Sequence, residues 1–254
     1  MPEVPAYPQG RNLLDGKVVL ITASAGTGIG FATAKRCQEE GATVVLSDRH
    51  ERRLAESAEE LGGVFSVPCD VTDEGQVQAL FAATVAKHGR LDVLVNNAGL
   101  GGTAEVAEMT DEQWSSVLDV TLTGTFRATR AAFKHMYPQG SGAIVNNASV
   151  VGWRAQEGQA HYAAAKAGVM ALTRCSALEA AKHNVRVNAV SPSLAMHPFL
   201  AKVTTDELLE ELTTREAFGR AAEPWEIANV IVFLASDLAS YMTGEVLSVS
   251  SQHP

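Results

Sequence analysis

Seven short, β-branched runs alternate with Ala-rich helical stretches along most of the chain. The runs read KVVLIT, TVVLS, VFSVP, LDVLVN, AIVNNA, VRVNAV and EVLSV, and they are almost continuously apolar. This pattern is typical of strands that are covered on both faces in a parallel sheet. Strand–helix alternation also indicates βαβ units with right-handed crossovers. We therefore expect an α/β fold with one doubly wound, seven-stranded parallel sheet and helices on both faces.

The organisation of the 254 residues favours one domain, because no linker, repeat or low-complexity segment interrupts the alternation. Residues 1–15 are rich in Pro and Gly and predict an N-terminal arm, laid on the surface or mobile, ahead of a domain over 16–254. Residues 191–216 carry two prolines and an acidic amphipathic stretch after the sixth strand. Ligands bind beyond the carboxyl ends of such strands, so this segment is predicted to be a substrate lid.

Helices are predicted over 28–40, 111–136 and 160–182, and another is predicted to begin near Pro224. Thr110 is a natural N-cap for the second, and Gln113, three residues later, would complete a capping box.

Composition excludes several classes of protein. The net charge of −9, without a cluster of Lys or Arg, argues against a nucleic-acid partner. The three cysteines, Cys37, Cys69 and Cys175, are far apart and indicate packed thiols in a reducing compartment, without disulfides. The histidines share no ligand spacing with a carboxylate or thiol, so no metal site is expected. No apolar run suits a signal peptide or a membrane span. We therefore expect a cytoplasmic protein without a membrane partner.

The stretch TASAGTGIG, Thr22 to Gly30, joins the first strand to the first helix. Free N–H groups and the positive end of the helix meet there, where a pyrophosphate can dock. The second strand ends at Asp48, eighteen residues after Gly30, near the spacing at which a carboxylate accepts hydrogen bonds from a ribose diol. Alternatively, Asp48 only caps the helix that begins at Glu51. A carboxylate repels a 2′-phosphate, which favours NAD over NADP, although Arg49 leaves some use of NADP open.

Later motifs complete a resemblance to the short-chain dehydrogenase/reductase family. NNAG at Asn96–Gly99 is similar to the family's fourth-strand motif, and CDVTD supplies Asp70 where the family contacts the adenine ring. YAAAK contains Tyr162 and Lys166 in the family's Y-x-x-x-K signature, and Ser149 precedes Tyr162 by the usual thirteen residues. The resemblance runs from Gly16 to about Val249. It implies a Rossmann-type fold and a nicotinamide-dependent oxidoreductase, with NAD as the expected cofactor.

The resemblance also implies the site residues. The catalytic set is Ser149, Tyr162, Lys166 and Thr121, with Tyr162 as the acid/base group, its phenolate stabilised by Lys166, and Ser149 hydrogen-bonded to the substrate oxygen. The alternative for the Tyr–Lys pair alone is a helix-packing tyrosine beside a solvated lysine. The implied cofactor contacts are Thr22, Ser24, Gly26, Thr27, Gly28, Ile29, Gly30, Asp48, Arg49, Asp70, Val71, Asn97, Ala98, Gly99, Tyr162, Lys166 and Pro192.

Several positions depart from the family pattern. Ala23 follows Thr22 where the family has Gly, and Gly26 lengthens the loop by one residue, so phosphate contacts are expected to shift by one position. Thr121 stands where an Asn commonly helps to hold a water that connects the Lys to solvent. A relay through its hydroxyl or backbone carbonyl is left open, as is a catalytically degenerate NAD-binding protein with a structural or regulatory role.

Departures also occur on the substrate side. Ser193 follows Pro192 instead of Gly, His197 takes the place of a nicotinamide-contacting Thr, and SVSSQHP replaces the usual D-G-G. The stretches NNAGLGG, NNASVVGWRAQ and AEPWE, with the SSQHP ending, resemble actinobacterial members that act on CoA-linked ring fragments from steroid breakdown. The runner-up is a 3-ketoacyl thioester reductase that uses NADP.

The predicted substrate contacts are Trp153, Arg154, Met196 and Phe199. The apolar lid residues suit a bulky ring, whereas simple surface packing is the alternative for Trp153 and Arg154. Phosphates of a CoA group would need Arg154, Lys202 or Arg215. Small residues along the helices at 111–136 and 160–182 favour close helix packing, and in the resembling family these helices build the main dimer interface. We expect a homo-oligomer, either a dimer or a tetramer.

Overall fold

The computed structural model describes residues 4–196 and 206–252. Seven parallel strands form one sheet in the order β3-β2-β1-β4-β5-β6-β7, which confirms the predicted fold class. The strands are β1 Val18–Thr22, β2 Thr43–Asp48, β3 Ser66–Pro68, β4 Val93–Asn96, β5 Gly142–Asn147, β6 Val185–Pro192 and β7 Val246–Val249. The strand order reverses between β1 and β4, and in open α/β sheets a ligand crevice forms at that point.

The described residues contain eight α-helices. They are α1 Ile29–Glu39, α2 Glu51–Glu60, α3 Glu74–His88, α4 Asp111–Leu118, α5 Gly124–Gln139, α6 Ala160–Ala180, α7 Asp206–Thr214 and α8 Pro224–Ala235. Across the described residues, none of these helices combines the length and apolar character needed to cross a membrane.

Two large apolar cores and one small cluster pack against the strands. Val19 and Ile21 of β1 pack with residues of α1, α2 and α8 on one face of the sheet. Val18 and Leu20, which point the other way, pack with residues of α3, α5 and α6. Because side chains alternate across a strand, both sets of positions must be apolar when both faces are covered.

The predicted helix over 111–136 is corrected in the structure. Thr110 caps α4 in a capping box with Gln113, as expected, but α4 ends at Leu118. A π-helical turn, Asp119–Thr123, then separates α4 from α5. This turn has one extra residue compared with an α-helical turn, a local change that a helical sequence pattern does not reveal.

The structure describes the predicted N-terminal arm and the predicted lid only in part. In the arm, Leu14 is fully buried in the core, and the carboxylate of Glu40 accepts hydrogen bonds from the N–H groups of Arg11 and Leu13. In the predicted lid, residues 191–196 and α7 are described, whereas 197–205 lie outside the described residues. Ala195 bridges to Ala222 in parallel fashion, which ties the base of the lid to the segment before α8.

Candidate active site

A cavity of about 550 Å³ opens at the carboxyl ends of β1, β2 and β4. Nine of the predicted cofactor residues line it: Gly26, Thr27, Gly28, Asp48, Arg49, Asp70, Val71, Ala98 and Gly99. Seven further lining residues were not predicted from the sequence: Ala23, Ala25, His50, Arg53, Cys69, Leu100 and Val120. His50 and Arg53 could have been found from their place at the start of α2, directly after Asp48.

The glycine-rich loop comes close to its neighbours at Gly30. A β-carbon there would lie 2.3 Å from the backbone oxygen of Ala23 and 2.5 Å from Nδ2 of Asn97, so only glycine fits. Gly26 has a φ of +88°, which glycine adopts without strain. Ala23 has a φ of +49°, which lies in the left-handed region. Glycine, which the resembling family has at this position, adopts this region more readily than alanine.

The N-terminus of α1 lies at this cavity, which is lined by the residue that precedes the helix, Gly28. Gly28 is the N-cap, and within the described part of the chain no side chain caps this end of the helix. Uncapped N–H groups and the helix dipole attract an anion such as a pyrophosphate. The cradle therefore fits the phosphates of a dinucleotide.

Asp48 does not cap α2, because no side chain among the described residues caps the N-terminus of that helix. One of its oxygens accepts a hydrogen bond from the N–H of Ala25, and the other accepts one from the N–H of His50, the N-cap of α2. The carboxylate therefore joins the glycine-rich loop to the end of β2. It also lines the cavity where the predicted ribose contact lies.

Other predicted cofactor residues lie behind the cavity wall. The hydroxyl of Ser24 is buried and donates to the backbone oxygens of Ile21 and Ser47, and the hydroxyl of Thr22 accepts from the N–H groups of Asn97 and Ala98. These hydroxyls fix the loop and do not face the cavity. The further predicted residues that are outside the cavity lining are Ile29, Gly30, Asn97, Pro192, Tyr162 and Lys166.

The predicted catalytic residues come together beyond β5. Ser149 follows that strand, and its side chain lies beside the hydroxyl of Tyr162 at the start of α6. Burial raises the pKa of the Tyr162 hydroxyl to about 12, and the neighbouring Ser149 side chain opposes part of that rise. Lys166 lies one turn along α6, with Nζ 5.5 Å from the centre of the Tyr162 ring. Burial lowers the pKa of Lys166 to about 8, so its ammonium form still predominates at neutral pH.

A chain of polar contacts connects this group to the glycine-rich loop. Lys166 Nζ donates to the backbone oxygen of Asn147 at 2.5 Å. Asn147 Nδ2 donates to Asn97 Oδ1 at 2.9 Å, and Asn97 Nδ2 donates to the backbone oxygen of Ala23 at 2.9 Å. The role of Asn147 was missed in the sequence, although its place at the end of β5 was a usable signal. Lys166 and the glycine-rich loop are thus held by one network.

The substrate side is only partly described. Trp153 is about half exposed on the loop after Ser149, Arg154 is half-buried beside it, and Met196 is half-buried at the base of the lid. Phe199, together with His197 and Lys202, lies outside the described residues. Arg215 is paired with Glu211. Within residues 4–196 and 206–252, no three His, Cys, Asp or Glu side chains come together in a way that could hold a metal ion.

Comparisons with known proteins decide the family. The profile of a family described as enoyl-(acyl carrier protein) reductase matches residues 23–251. A crystal structure of a short chain dehydrogenase from Mycobacterium smegmatis is 58% identical, covers 99% of both chains and superposes with a TM-score of 0.88. The chain belongs to the short-chain dehydrogenase/reductase family. The predicted family is thereby confirmed, and the protein is an oxidoreductase of this family.

Two curated relatives extend the comparison. The (5R,7aS)-5-hydroxy-7a-methyl-1-oxo-2,3,5,6,7,7a-hexahydro-1H-indene-carboxyl-CoA reductase of Mycobacterium tuberculosis is 66% identical, with 96% of each chain covered. The 3-oxoacyl-(acyl-carrier-protein) reductase of Thermotoga maritima is 42% identical, with 93% of this chain and 97% of that protein covered.

Thr121, where this short-chain dehydrogenase/reductase departs from the family's usual Asn, is fully buried in the π-helical turn. Its hydroxyl accepts from the N–H of Leu100 at 3.0 Å and donates to the oxygen of the same residue at 3.2 Å. Its backbone oxygen accepts from the hydroxyl of Thr125 at 2.8 Å. A β-carbon on Gly99 would lie 3.5 Å from Lys166 Nζ and 3.9 Å from the Thr121 hydroxyl, so both groups face the same spot. Thr121 therefore anchors the loop after β4, and its part in proton transfer stays a prediction.

Proposed function

We propose that this enzyme interconverts a secondary alcohol and a ketone on a bulky, apolar, cyclic substrate, with NAD as cofactor. The observation that carries the proposal is the grouping of three side chains: Ser149 lies beside the hydroxyl of Tyr162, and Lys166 is one helical turn away with Nζ 5.5 Å from the Tyr162 ring. The group lies at the sheet edge that also carries the dinucleotide-sized cavity.

The chain's own residues account for the proton chemistry. Hydride transfer to or from the substrate carbon is what a bound nicotinamide supplies. Tyr162 removes the alcohol proton in oxidation and returns it in reduction, and Ser149 hydrogen-bonds the substrate oxygen as charge builds on it. Lys166 places a positive charge near the phenol, which offsets the pKa of about 12 that burial imposes on Tyr162. The bond from Lys166 to Asn147 holds the ammonium in that place.

The preference for NAD over NADP rests on Asp48. Its carboxylate lines the cavity and is fixed there by the N–H groups of Ala25 and His50. A negative charge at the ribose end disfavours a 2′-phosphate. Arg49 and Arg53 line the same end and supply positive charge, so we expect weak residual use of NADP.

The substrate class rests on the 66% identical relative from Mycobacterium tuberculosis, whose name specifies a methylated bicyclic ring carried on CoA. A methyl group at a ring fusion is a feature of steroid nuclei, so we propose a steroid-derived ring acid, linked to CoA, as the substrate. The second candidate, a 3-ketoacyl thioester reductase that uses NADP, is favoured by the 42% identical 3-oxoacyl reductase from Thermotoga maritima.

We further propose that the enzyme acts in the cytoplasm as a homo-oligomer. An apolar hollow of about 540 Å³ lies between α5 and α6, lined in part by Phe126, Phe133, Tyr137 and Leu172. Phe126 is 42% exposed in the isolated chain. A second copy of the chain would cover this surface. Light scattering on the wild type and on Leu172→Asp tests this, since the variant should lower the molecular mass in solution.

The substrate proposal is tested by following NAD reduction across a panel of alcohols. The panel pairs free acids with CoA thioesters, and ring-bearing compounds with short linear 3-hydroxyacyl compounds. We expect ring-bearing CoA thioesters to give the highest kcat/KM, and Tyr162→Phe enzyme serves as the blank. Turnover of the short linear thioesters alone would favour the second candidate.

A further inference from the structure

A buried carboxylate ties the lid to the C-terminal segment. Glu216 is 4% exposed, and its side-chain oxygens accept hydrogen bonds from the N–H of Leu194, the N–H and hydroxyl of Ser251, and Nε2 of Gln252. All of these donors are neutral. The carboxylate therefore fixes the residues that follow β6 and β7 relative to each other.

This arrangement determines how Gln252 is oriented. An ionised carboxylate only accepts hydrogen bonds, so the amide NH₂ of Gln252 must face Glu216. The amide oxygen then points the other way, where it accepts a hydrogen bond from Nη1 of Arg154. Gln252 thus connects a buried anion to a half-buried cation without neutralising the cation.

Arg154 carries a positive charge that no carboxylate within the described residues neutralises. Seven other arginines form ion pairs with nearby acids: Arg36, Arg52, Arg90, Arg127, Arg130, Arg215 and Arg220. Arg154 has instead the neutral amide of Gln252, which occupies one edge of the guanidinium. The other N–H groups can bind a further acceptor.

The location of this cation points to the substrate. Arg154 is five residues after Ser149, and its backbone N–H donates a hydrogen bond to the backbone oxygen of Val150. Gln252 and Leu194 follow the carboxyl ends of β7 and β6, so the cluster lies at the same sheet edge as the catalytic group. An oxyanion carried on a substrate that reaches Ser149 would meet the guanidinium there.

We propose that Arg154 binds an oxyanion of the substrate, and that Gln252, held by Glu216, is the positioning residue that aims the guanidinium. The inference deepens the proposed function, since it identifies how the acidic part of a ring substrate is held. The shared chemistry is a phosphate or carboxylate oxygen, supplied either by CoA or by the free acid.

The test uses binding probes that need no turnover, so its result is separate from that of the proposed reaction. Cyclohexanecarboxyl-CoA, cyclohexanecarboxylate and the uncharged N-acetylcysteamine thioester are titrated into the full-length protein with NAD present, by calorimetry. We expect Arg154→Met to weaken binding of the CoA thioester or of the acid about tenfold, and that of the uncharged thioester less than twofold. Selective loss for the CoA thioester identifies phosphate, and selective loss for the acid identifies carboxylate.

A double-mutant cycle tests the role of Gln252. Gln252→Met should weaken binding of the same probe three- to tenfold in the wild type but have no further effect in the Arg154→Met background. Gln252→Asn, which keeps the amide, should recover part of the affinity. Lys182→Met is the matched control for charge, because it removes a cation that lies just before the amino end of β6. Thermal unfolding verifies that each variant is folded.

Three results would overturn the inference. Equal weakening of all three probes by Arg154→Met would show a steric role for the side chain. Full additivity of Gln252→Met and Arg154→Met would show that Gln252 does not act through Arg154. The absence of measurable binding of both anionic probes to the wild type would exclude an oxyanion site.

Discussion

Asn147 Nδ2 donates a hydrogen bond to Asn97 Oδ1 at 2.9 Å, and this bond joins the glycine-rich loop to the surroundings of Lys166. On one side, Asn97 holds the backbone of Ala23 in the glycine-rich loop. On the other, the backbone of Asn147 holds Lys166. Two residues, Asn97 and Asn147, therefore link the glycine-rich loop to Lys166.

Tyr162→Phe should abolish turnover without loss of the cofactor site. The substitution keeps the ring and removes the ionisable oxygen, so NAD should bind as in the wild type while kcat falls by about two or more orders of magnitude. Steady-state kinetics and NADH titration measure the two effects separately. Ala163→Gly, next in the helix, controls for a general disturbance of α6, and a kcat within threefold of wild type in Tyr162→Phe would refute the mechanism.

Gly30→Ala should damage both the fold and the cofactor site. The added β-carbon would lie within 2.5 Å of Ala23 and Asn97, so the loop must move, at a cost of about 1–3 kcal/mol. We expect a lower urea midpoint and at least tenfold weaker NAD binding. Gly28→Ala is the matched control, because a β-carbon there meets no atom within 4 Å, and its stability should change by less than about 1 kcal/mol. Equal stability of the two variants would contradict the close approach.

The cofactor preference should depend on the charge of Asp48. Wild-type kcat/KM should be higher with NAD than with NADP, and Asp48→Asn should raise the NADP/NAD ratio by about tenfold or more, since it removes the repulsion of a 2′-phosphate. Arg49→Met should lower whatever use of NADP remains. A wild-type preference for NADP would show that the positive charges of Arg49 and Arg53 outweigh Asp48.

Thr121 has an anchoring role that can be separated from a role in proton transfer. Thr121→Val keeps the shape and leaves the backbone of Leu100 without its two hydrogen bonds, which should destabilise the protein by about 1–3 kcal/mol. Thr121→Ser keeps the hydroxyl and should recover most of that stability. If the hydroxyl also relays protons, kcat of the Val variant should fall at low pH more than at high pH, and the Ser variant should follow the wild-type profile. If kcat has the same pH profile in the wild type and in both variants, the Thr121 hydroxyl only anchors the loop.

The sequence predicted the sheet well because parallel strands covered on both faces need apolar residues at every position. Tyr162 and Lys166 could be predicted because they lie one turn apart on one helix, which is a local relationship. The break in the helix at Asp119–Thr123 could not be predicted, because the residues of a π turn keep a helical sequence pattern. The buried position of the Ser24 hydroxyl, which bonds the backbone and does not face the cavity, could not be predicted either. The sequence of a glycine-rich loop does not specify which hydroxyl faces the cavity. The contact of Arg154 with Gln252 joins residues 98 positions apart, and only the folded sheet brings them together.

Lys166→Met should stabilise the protein at neutral pH while it impairs catalysis. Burial lowers the pKa of Lys166 from 10.5 to about 8, so below pH 8 the folded state carries the full cost of a desolvated ammonium. Between pH 8 and 10.5 the unfolded chain binds more protons than the folded one at this residue, so this cost fades as the pH rises. The pKa shift of Lys166 corresponds to a destabilisation of about 3 kcal/mol at neutral pH. The variant also loses the hydrogen bond to Asn147, which offsets about half of the expected gain in stability.

The variant should therefore be about 1–2 kcal/mol more stable than the wild type at pH 7, and this advantage should shrink or reverse by pH 10. Urea unfolding of both proteins at pH 7 and pH 10 measures the difference, and kcat on the same samples should be lost or its pH optimum raised. A variant that is less stable than the wild type by the same amount at both pH values would mean that the ammonium is not destabilising where it lies. In that case Lys166 would support the fold and not only the phenol of Tyr162.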